Sequence, residues 1–189
     1  KSAYTKEKFG TNTIAPVYKL NGEQYILELW HGPTCAFKDM ALQIMPRLLS
    51  RALKKTGEDR TALILVATAG DTGKAALEGY KDIDKIKIMV FYPVDGVSRV
   101  QKLQMATQTG DNVNVCAIKG NFDDAQNGVK RIFTSDDMEK TLSERGVSLS
   151  SANSINWGRL APQIAYYFWA YSRLLKNGAI KLGDKVDFC

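Results

Sequence analysis

Apolar strand-like segments alternate with helix-like segments through the middle of the chain, and this alternation most constrains the fold. The pattern predicts strands over 63–67, 86–92 and 113–118, and helices over 72–80, 97–107 and 124–133. Strands that are separated by helices pair in parallel, and their crossovers are right-handed. The predicted fold class is therefore α/β, a three-layer αβα arrangement around a mainly parallel sheet.

Elements of other kinds are predicted before the alternating region. Two apolar segments within residues 17–30 flank Asn21-Gly22, a pair that favours a tight hairpin. From Lys38 to about Leu53 the apolar positions follow helical spacing, and Pro46 is expected to kink that helix. The hairpin should therefore lead into a helix that begins at a lysine.

Helix starts are marked by capping residues. Ser98 and Gln101 have the spacing of a capping box, and Asp123 is a suitable N-cap with Gln126 three residues later. A long aromatic-rich helix is predicted over 157–175.

Composition excludes several classes of function. The net charge of +6 favours an anionic ligand, but the basic residues are scattered rather than clustered as in nucleic-acid binders. No apolar run reaches the ~20 residues of a membrane span. Cys35, Cys116 and Cys189 match neither a disulfide framework nor a zinc site, and the single histidine, His31, excludes a His-rich metal site. We expect a soluble cytoplasmic protein that acts on a small molecule.

The loop 68–73 follows an apolar strand and opens a helix. Its glycines permit close backbone approach, and N–H groups at a helix start suit a carboxylate or phosphate. The loop lacks the Walker lysine and the spaced dinucleotide glycines, which argues against a nucleotide. Similar turns also serve as plain connections, so the residues alone leave both interpretations open.

Lys38 lies among apolar and small residues at a predicted helix start, within residues 30–41. Burial and a helix N-terminus both disfavour an ammonium, which favours a neutral, nucleophilic amine. The alternative is a solvated lysine paired with Asp39. His31 could relay protons nearby, but we expect it to orient the loop through hydrogen bonds.

A polar segment near residue 155 offers donors for a phosphate. Asn153, Ser154, Asn156 and Arg159 can all donate, and the Arg159 guanidinium can bind in two-pronged fashion. The alternative is that the asparagines satisfy backbone groups in a turn and Arg159 begins a helix.

The segment from His31 to Asp39 resembles the threonine synthase segment around the lysine that forms a Schiff base with pyridoxal phosphate. Ala69 departs from the family pattern, in which a serine is usual. The resemblance continues in order at 68–76, 93–105, 120–126 and 151–160.

This resemblance implies the type II pyridoxal-phosphate fold, similar to the tryptophan synthase β subunit. It implies a carbon–oxygen lyase that converts O-phosphohomoserine and water to threonine and phosphate, with pyridoxal phosphate as cofactor. Lys38 would be the catalytic, cofactor-bound lysine, with Asp71 and Thr72 near the cofactor. The expected substrate contacts are Thr68, Gly70, Asn153, Ser154, Asn156 and Arg159.

The same resemblance predicts how the chain is divided. Residues 1–60 are expected to form part of a cofactor domain, 61–150 a small αβα subdomain, and 151–189 a return to the cofactor domain that ends in a strand begun at Lys185. Both ends of the chain look cut. The turn at 120–123 is similar to the turn that binds the cofactor phosphate in this family, but that turn is expected after the strand begun at Lys185, beyond the chain. This piece alone should therefore bind the cofactor poorly and lack activity.

Two other functions stay open at this point. Another type II pyridoxal-phosphate enzyme, such as a dehydratase or a phospholyase, would share the fold and the lysine. The donors in 151–159 favour a phosphorylated substrate. The second possibility is a non-catalytic truncated fragment. The sequence leaves the oligomeric state open.

Overall fold

The computed structural model describes residues 2–154 and 156–189. None of the described helices is long and apolar enough to cross a membrane. The strands are β1 (Val17–Asn21), β2 (Gln24–Leu27), β3 (Thr61–Ala67), β4 (Ile86–Pro93), β5 (Val113–Ile118) and β6 (Val147–Ser151). The helices are α1 (Lys6–Phe9), α2 (Asp39–Leu42), α3 (Met45–Thr56), α4 (Asp71–Tyr80), α5 (Arg99–Ala106), α6 (Phe122–Phe133), α7 (Asp136–Glu144) and α8 (Trp157–Lys176).

Four parallel strands form the central sheet in the order β5-β4-β3-β6. The chain runs from β3 through β4 to β5 and then returns to β6 on the other side of β3. By the right-handed crossover rule, this reversal puts α4 and α5 on one face of the sheet and α6 and α7 on the other. α4 packs on β4, and α6 packs on β3 and β4. The predicted three-layer arrangement and its three strands are confirmed, whereas α7 and β6 were not predicted.

The main core lies between the sheet and α4. Along β4 alternate residues are buried, as the two-residue period of a strand requires, and Leu77 and Tyr80 of α4 are also fully buried. Leu42 of α2 belongs to the same core, which brings the lysine-bearing segment against α4. The buried residues of β4 are Ile86, Ile88, Val90 and Tyr92.

The hairpin is confirmed, but the lysine-bearing helix differs from its prediction. β1 and β2 pair antiparallel, and Gly22 in their turn has a φ of 43°. Instead of one helix kinked at Pro46, the chain forms the short α2 and the separate α3. Pro46 lies in the first turn of α3. Backbone N–H groups in the first turn make no intrahelical hydrogen bond, so proline costs none there. Lys38 is thus the N-cap residue of a four-residue helix.

The cap predicted for α6 is wrong by two residues, whereas the Ser98 and Gln101 capping box is confirmed. Asn121 caps α6: its side chain accepts from Asp124 N at 3.0 Å, and the Asp124 carboxylate accepts from Asn121 N at 2.8 Å. This reciprocal pair begins the helix earlier than Asp123 could.

The last predicted strand is also wrong. Residues 185–189 have no regular secondary structure, because a strand needs a hydrogen-bonded neighbour and no described strand pairs with this segment. The aromatic-rich helix is confirmed as α8, one residue longer than predicted.

Gly79 lets α4 pack directly on α2. A Cβ at this position would lie 1.9 Å from the backbone oxygen of Leu42. We expect Gly79→Ala to lower the free energy of unfolding by about 1–3 kcal/mol, the usual cost of overpacking. Gly128→Ala in α6 is the matched control, since open space surrounds its Cβ position. It should raise the free energy of unfolding by about 0.5–1 kcal/mol, because alanine is favoured over glycine inside a helix. Denaturant unfolding measures both, and an unchanged Gly79→Ala midpoint would contradict the close contact.

Candidate active site

A cavity of about 760 Å³ lies at the carboxyl ends of β3 and β6, with α6 as an opposite wall. Parallel sheets commonly bind ligands at this edge, and small-molecule sites typically measure roughly 300–1,000 Å³. Eight residues that the sequence marks as candidates line it together: Lys38, Thr68, Gly70, Asp71, Thr72, Asn153, Ser154 and Arg159.

The glycine loop is shaped by Thr68. Its buried hydroxyl accepts hydrogen bonds from Gly70 N at 3.0 Å and from Gly73 N at 2.9 Å. Gly70 has a φ of 138°, which favours glycine, and a Cβ there would lie 2.4 Å from the Gln101 side chain. The loop therefore turns sharply into α4 and places Asp71 in the first helical turn, where a carboxylate is stabilised by the helix dipole.

Lys38 faces this loop from across the cavity. Its side chain is only 17% exposed, and its Nζ lies 3.7 Å from Asp71 Oδ2. The pKa of Lys38 is lowered, chiefly by burial and further by the charges of Arg159 and Lys74, while Asp71 acts in the opposite direction. Lys38 therefore loses its proton more easily than a free lysine does, while Asp71 is close enough to stabilise the charged form.

Asp39 is occupied elsewhere and does not pair with Lys38. Its carboxylate accepts from Thr34 N at 2.9 Å, from the Thr34 hydroxyl at 2.7 Å and from Ala36 N at 3.4 Å. Burial raises the pKa of Asp39, and these hydrogen bonds oppose the rise. Asp39 thus fixes the turn before α2, and the alternative of a solvated Lys38–Asp39 pair is wrong.

Asp71 is held by three groups. Gln101 Nε2 donates to its Oδ1 at 2.9 Å, Lys74 Nζ lies 3.2 Å from the same oxygen, and Lys38 faces the other oxygen. Partial burial acts to raise the pKa of Asp71, but the hydrogen bonds from Gln101 and Lys74 and the nearby ammonium charges outweigh it and lower the pKa. The carboxylate is therefore ionised at neutral pH.

The roles of Lys74, Thr34 and the Gln101 amide were not predicted from the sequence. Lys74 follows Asp71 by three residues on one helix face, which is a signal that was available. Gln101 was expected only as a helix cap. Thr34 acts through its backbone oxygen, which no residue pattern reveals.

Arg159 lies in the first turn of α8, at the wall of the cavity, and is only 5% exposed. Its Nη1 donates to Ala152 O at 3.2 Å, while its buried Nε has no hydrogen-bond partner among the described residues. Burial lowers the pKa of Arg159. A buried guanidinium with unused donor capacity is suited to an anionic ligand.

The polar residues just before Arg159 differ in whether they face the cavity. Asn153 and Ser154 are exposed and line the cavity. Asn156 is not among the lining residues: it caps α8 by accepting from Gly158 N at 2.9 Å and donates to Ser151 O at 2.8 Å. Ile155, inside the matched segment 151–160, lies outside the described residues.

His31 lies outside the set of cavity-lining residues. Its Nε2 pairs with the Glu28 carboxylate, and its ring stacks on Trp30 with centroids 5.8 Å apart. These contacts match the expected role in orienting the loop.

Known proteins resemble this chain in sequence, although no family model matches it. Threonine synthase of Pseudomonas aeruginosa is 47% identical over 166 residues, which cover 88% of this chain and 34% of that protein. Threonine synthase-like 1 of Homo sapiens is 43% identical over 189 residues, which cover 97% of this chain and 25% of that protein. The chain therefore spans about a quarter to a third of the length of these two relatives.

The fold agrees with that relationship. The crystal structure of pyridoxal-phosphate-bound threonine synthase from Brucella melitensis matches with a TM-score of 0.80 and 41% identity, over 89% of this chain and 35% of that one. Over most of its own length, this chain is therefore similar in sequence and in fold to part of the threonine synthase family. The predicted αβα class, as part of the type II fold of this family, is confirmed.

Proposed function

We propose that the full-length protein is a threonine synthase that converts O-phosphohomoserine and water to threonine and phosphate with pyridoxal phosphate as cofactor. One observation carries the proposal: the shielded amine of Lys38 and the buried guanidinium of Arg159 line one cavity, with Asp71 between the glycine loop and the amine. The proposed reaction needs an amine that can bind the aldehyde of the cofactor and a cation that can bind the substrate phosphate, and Lys38 and Arg159 would supply them.

The described residues fit the proposed cofactor. Pyridoxal phosphate is an aldehyde that carries a phosphate, and the cavity offers an amine with a lowered pKa to the first group. Arg159 lines the same cavity and would leave a positive charge there for a second anion, the phosphate of the substrate. Lys38 would hold the cofactor covalently, with Asp71 and Thr72 beside it. When bound, the cofactor supplies an electron sink for carbanion chemistry.

Lys38 is proposed to carry the protons that the reaction moves. The substrate must lose and gain protons at neighbouring carbons, and one amine on a flexible stem can reach several of them. In its neutral form Nζ accepts a proton. In its charged form it is stabilised by Asp71, 3.7 Å away, until it returns the proton.

Arg159 is proposed to bind the phosphate of the substrate. A charge-assisted hydrogen bond to phosphate is strongest where water is excluded, and Arg159 is almost fully buried. Asn153 and Ser154 lie at the same cavity and are proposed as further contacts. Asn156 is proposed to act indirectly, since its amide fixes the start of α8.

The cavity residues Thr68 and Gly70 complete the proposed site. The backbone of this loop would approach the substrate carboxylate, and the Thr68 hydroxyl holds the loop in shape. We also propose a cytoplasmic location, in keeping with three cysteines that are all free.

Purified full-length protein with pyridoxal phosphate tests the proposal directly. We expect threonine and inorganic phosphate to form in equal amounts from O-phosphohomoserine, with little deamination of serine or threonine. Rapid formation of 2-oxo acids from serine or threonine, with no threonine from the phosphorylated substrate, would identify a dehydratase and overturn the proposal.

A further inference from the structure

A second lysine is buried beside the cavity. Lys74 in α4 is only 7% exposed, yet it carries an ammonium that is costly to remove from water without partners. Its Nζ donates to Thr34 O at 2.8 Å and lies 3.2 Å from Asp71 Oδ1. Lys74 is absent from the residues that line the cavity, so it does not face the space for a ligand.

The two partners of Lys74 belong to different parts of the site. Thr34 lies in the turn that Asp39 fixes just before α2, and Lys38 is the N-cap residue of α2. Asp71 belongs to the glycine loop 68–73 and is the first residue of α4. The Lys74 ammonium therefore joins the segment that carries Lys38 to the loop that carries its counter-charge.

We propose that Lys74 is a positioning residue for Lys38: it ties the two segments together and holds Asp71 between its own ammonium and the amine of Lys38. This inference rests on the proposed role of Lys38 as the nucleophilic amine. Lys74 itself touches neither cofactor nor substrate in this proposal. Its effect reaches the reaction through Asp71 and through the charge that it places near Lys38.

The charged groups that face Lys38 fix the direction of the effect. Asp71 and Lys74 face it from α4 and Arg159 from α8. The charge of Lys74 disfavours a second ammonium nearby, and Lys74 also neutralises part of the Asp71 charge that would stabilise one. Removing Lys74 therefore takes away a repelling positive charge and leaves more negative charge on Asp71. Both effects favour the charged form of Lys38.

The test measures the amine of Lys38 without the cofactor. Cofactor-free full-length protein is treated with 2,4,6-trinitrobenzenesulfonate, which modifies only neutral amines, and the modified Lys38 peptide is quantified by mass spectrometry across pH. In Lys74→Gln we expect the midpoint of the Lys38 profile to move to higher pH, and the rate at pH 8 to fall about threefold to tenfold. Lys74→Arg, which keeps the charge, should restore the original midpoint.

Lys102→Gln is the matched control, because Lys102 is exposed on α5 and its loss removes the same charge. It should leave the Lys38 profile unchanged. An unchanged profile in Lys74→Gln, or equal shifts in the Gln and Arg variants, would overturn the positioning role. If Lys74→Gln does not fold, Lys74→Met keeps the apolar stem and tests the same charge. Failure of the proposed function would be seen separately. Lys38 would then bind no cofactor, while its modification profile would still shift in Lys74→Gln.

Discussion

Lys38→Ala in the full-length protein is expected to lower threonine formation by about 10³-fold or more, because proton transfer by a positioned group alone contributes about 10²–10⁴-fold. Alanine also removes the amine that would bind the cofactor covalently. The side chain is an N-cap without a capping hydrogen bond, so its loss should cost little stability. Steady-state kinetics with O-phosphohomoserine measure the effect, and thermal unfolding checks that the variant is folded.

Lys102→Ala provides the control for loss of a lysine, since this side chain is exposed on α5. Its kinetics should equal those of the unsubstituted protein. Normal threonine formation by folded Lys38→Ala would show that another group carries the protons, and the proposed mechanism would fail.

Arg159→Ala is expected to lower kcat/KM for O-phosphohomoserine by about tenfold to a hundredfold, since a hydrogen bond to a charged group contributes about 1.5–3 kcal/mol. The reason is the position of Arg159: its guanidinium is buried at the cavity wall, where its positive charge would attract the substrate phosphate. Cofactor binding should survive, because Lys38 and Asp71 are unchanged.

The control for this prediction is Arg173→Ala, in the last turn of the same helix and outside the cavity-lining set. It should leave kcat/KM unchanged. Arg159 also donates to Ala152 O, so thermal unfolding must show that the alanine variant is folded before its kinetics are compared. A folded Arg159→Ala variant with unchanged kcat/KM would contradict phosphate recognition by this residue.

The fold could be predicted well where local signals agree with tertiary contacts. The strands β3, β4 and β5 are apolar runs bounded by turns, so their positions follow from composition and spacing. β6 has the sequence Val-Ser-Leu-Ser-Ser and is only half-buried at the sheet edge. Its strand conformation depends on pairing with β3, which no local pattern shows.

The candidate site shows the same division between local and tertiary information. Lys38 and Asp71 are predicted as site residues from motifs and from the resemblance that those motifs carry, and both line the cavity. The network that holds them is not predicted, because it joins residues 30 to 40 positions apart through the Gln101 amide and the Thr34 backbone oxygen. Asn156 illustrates the converse: one polar side chain suits a ligand or a helix cap equally well by sequence, and only its hydrogen bonds assign it to the cap.

Peptide mapping after borohydride reduction of the full-length protein with pyridoxal phosphate tests the central claim most directly. Reduction fixes the cofactor to the amine that binds it, and mass spectrometry locates the added pyridoxyl group. We predict one pyridoxyl group per chain, on Lys38, with none on the buried Lys74. A stoichiometric pyridoxyl group on any other lysine, or an unmodified Lys38 in protein that forms threonine, would contradict the account.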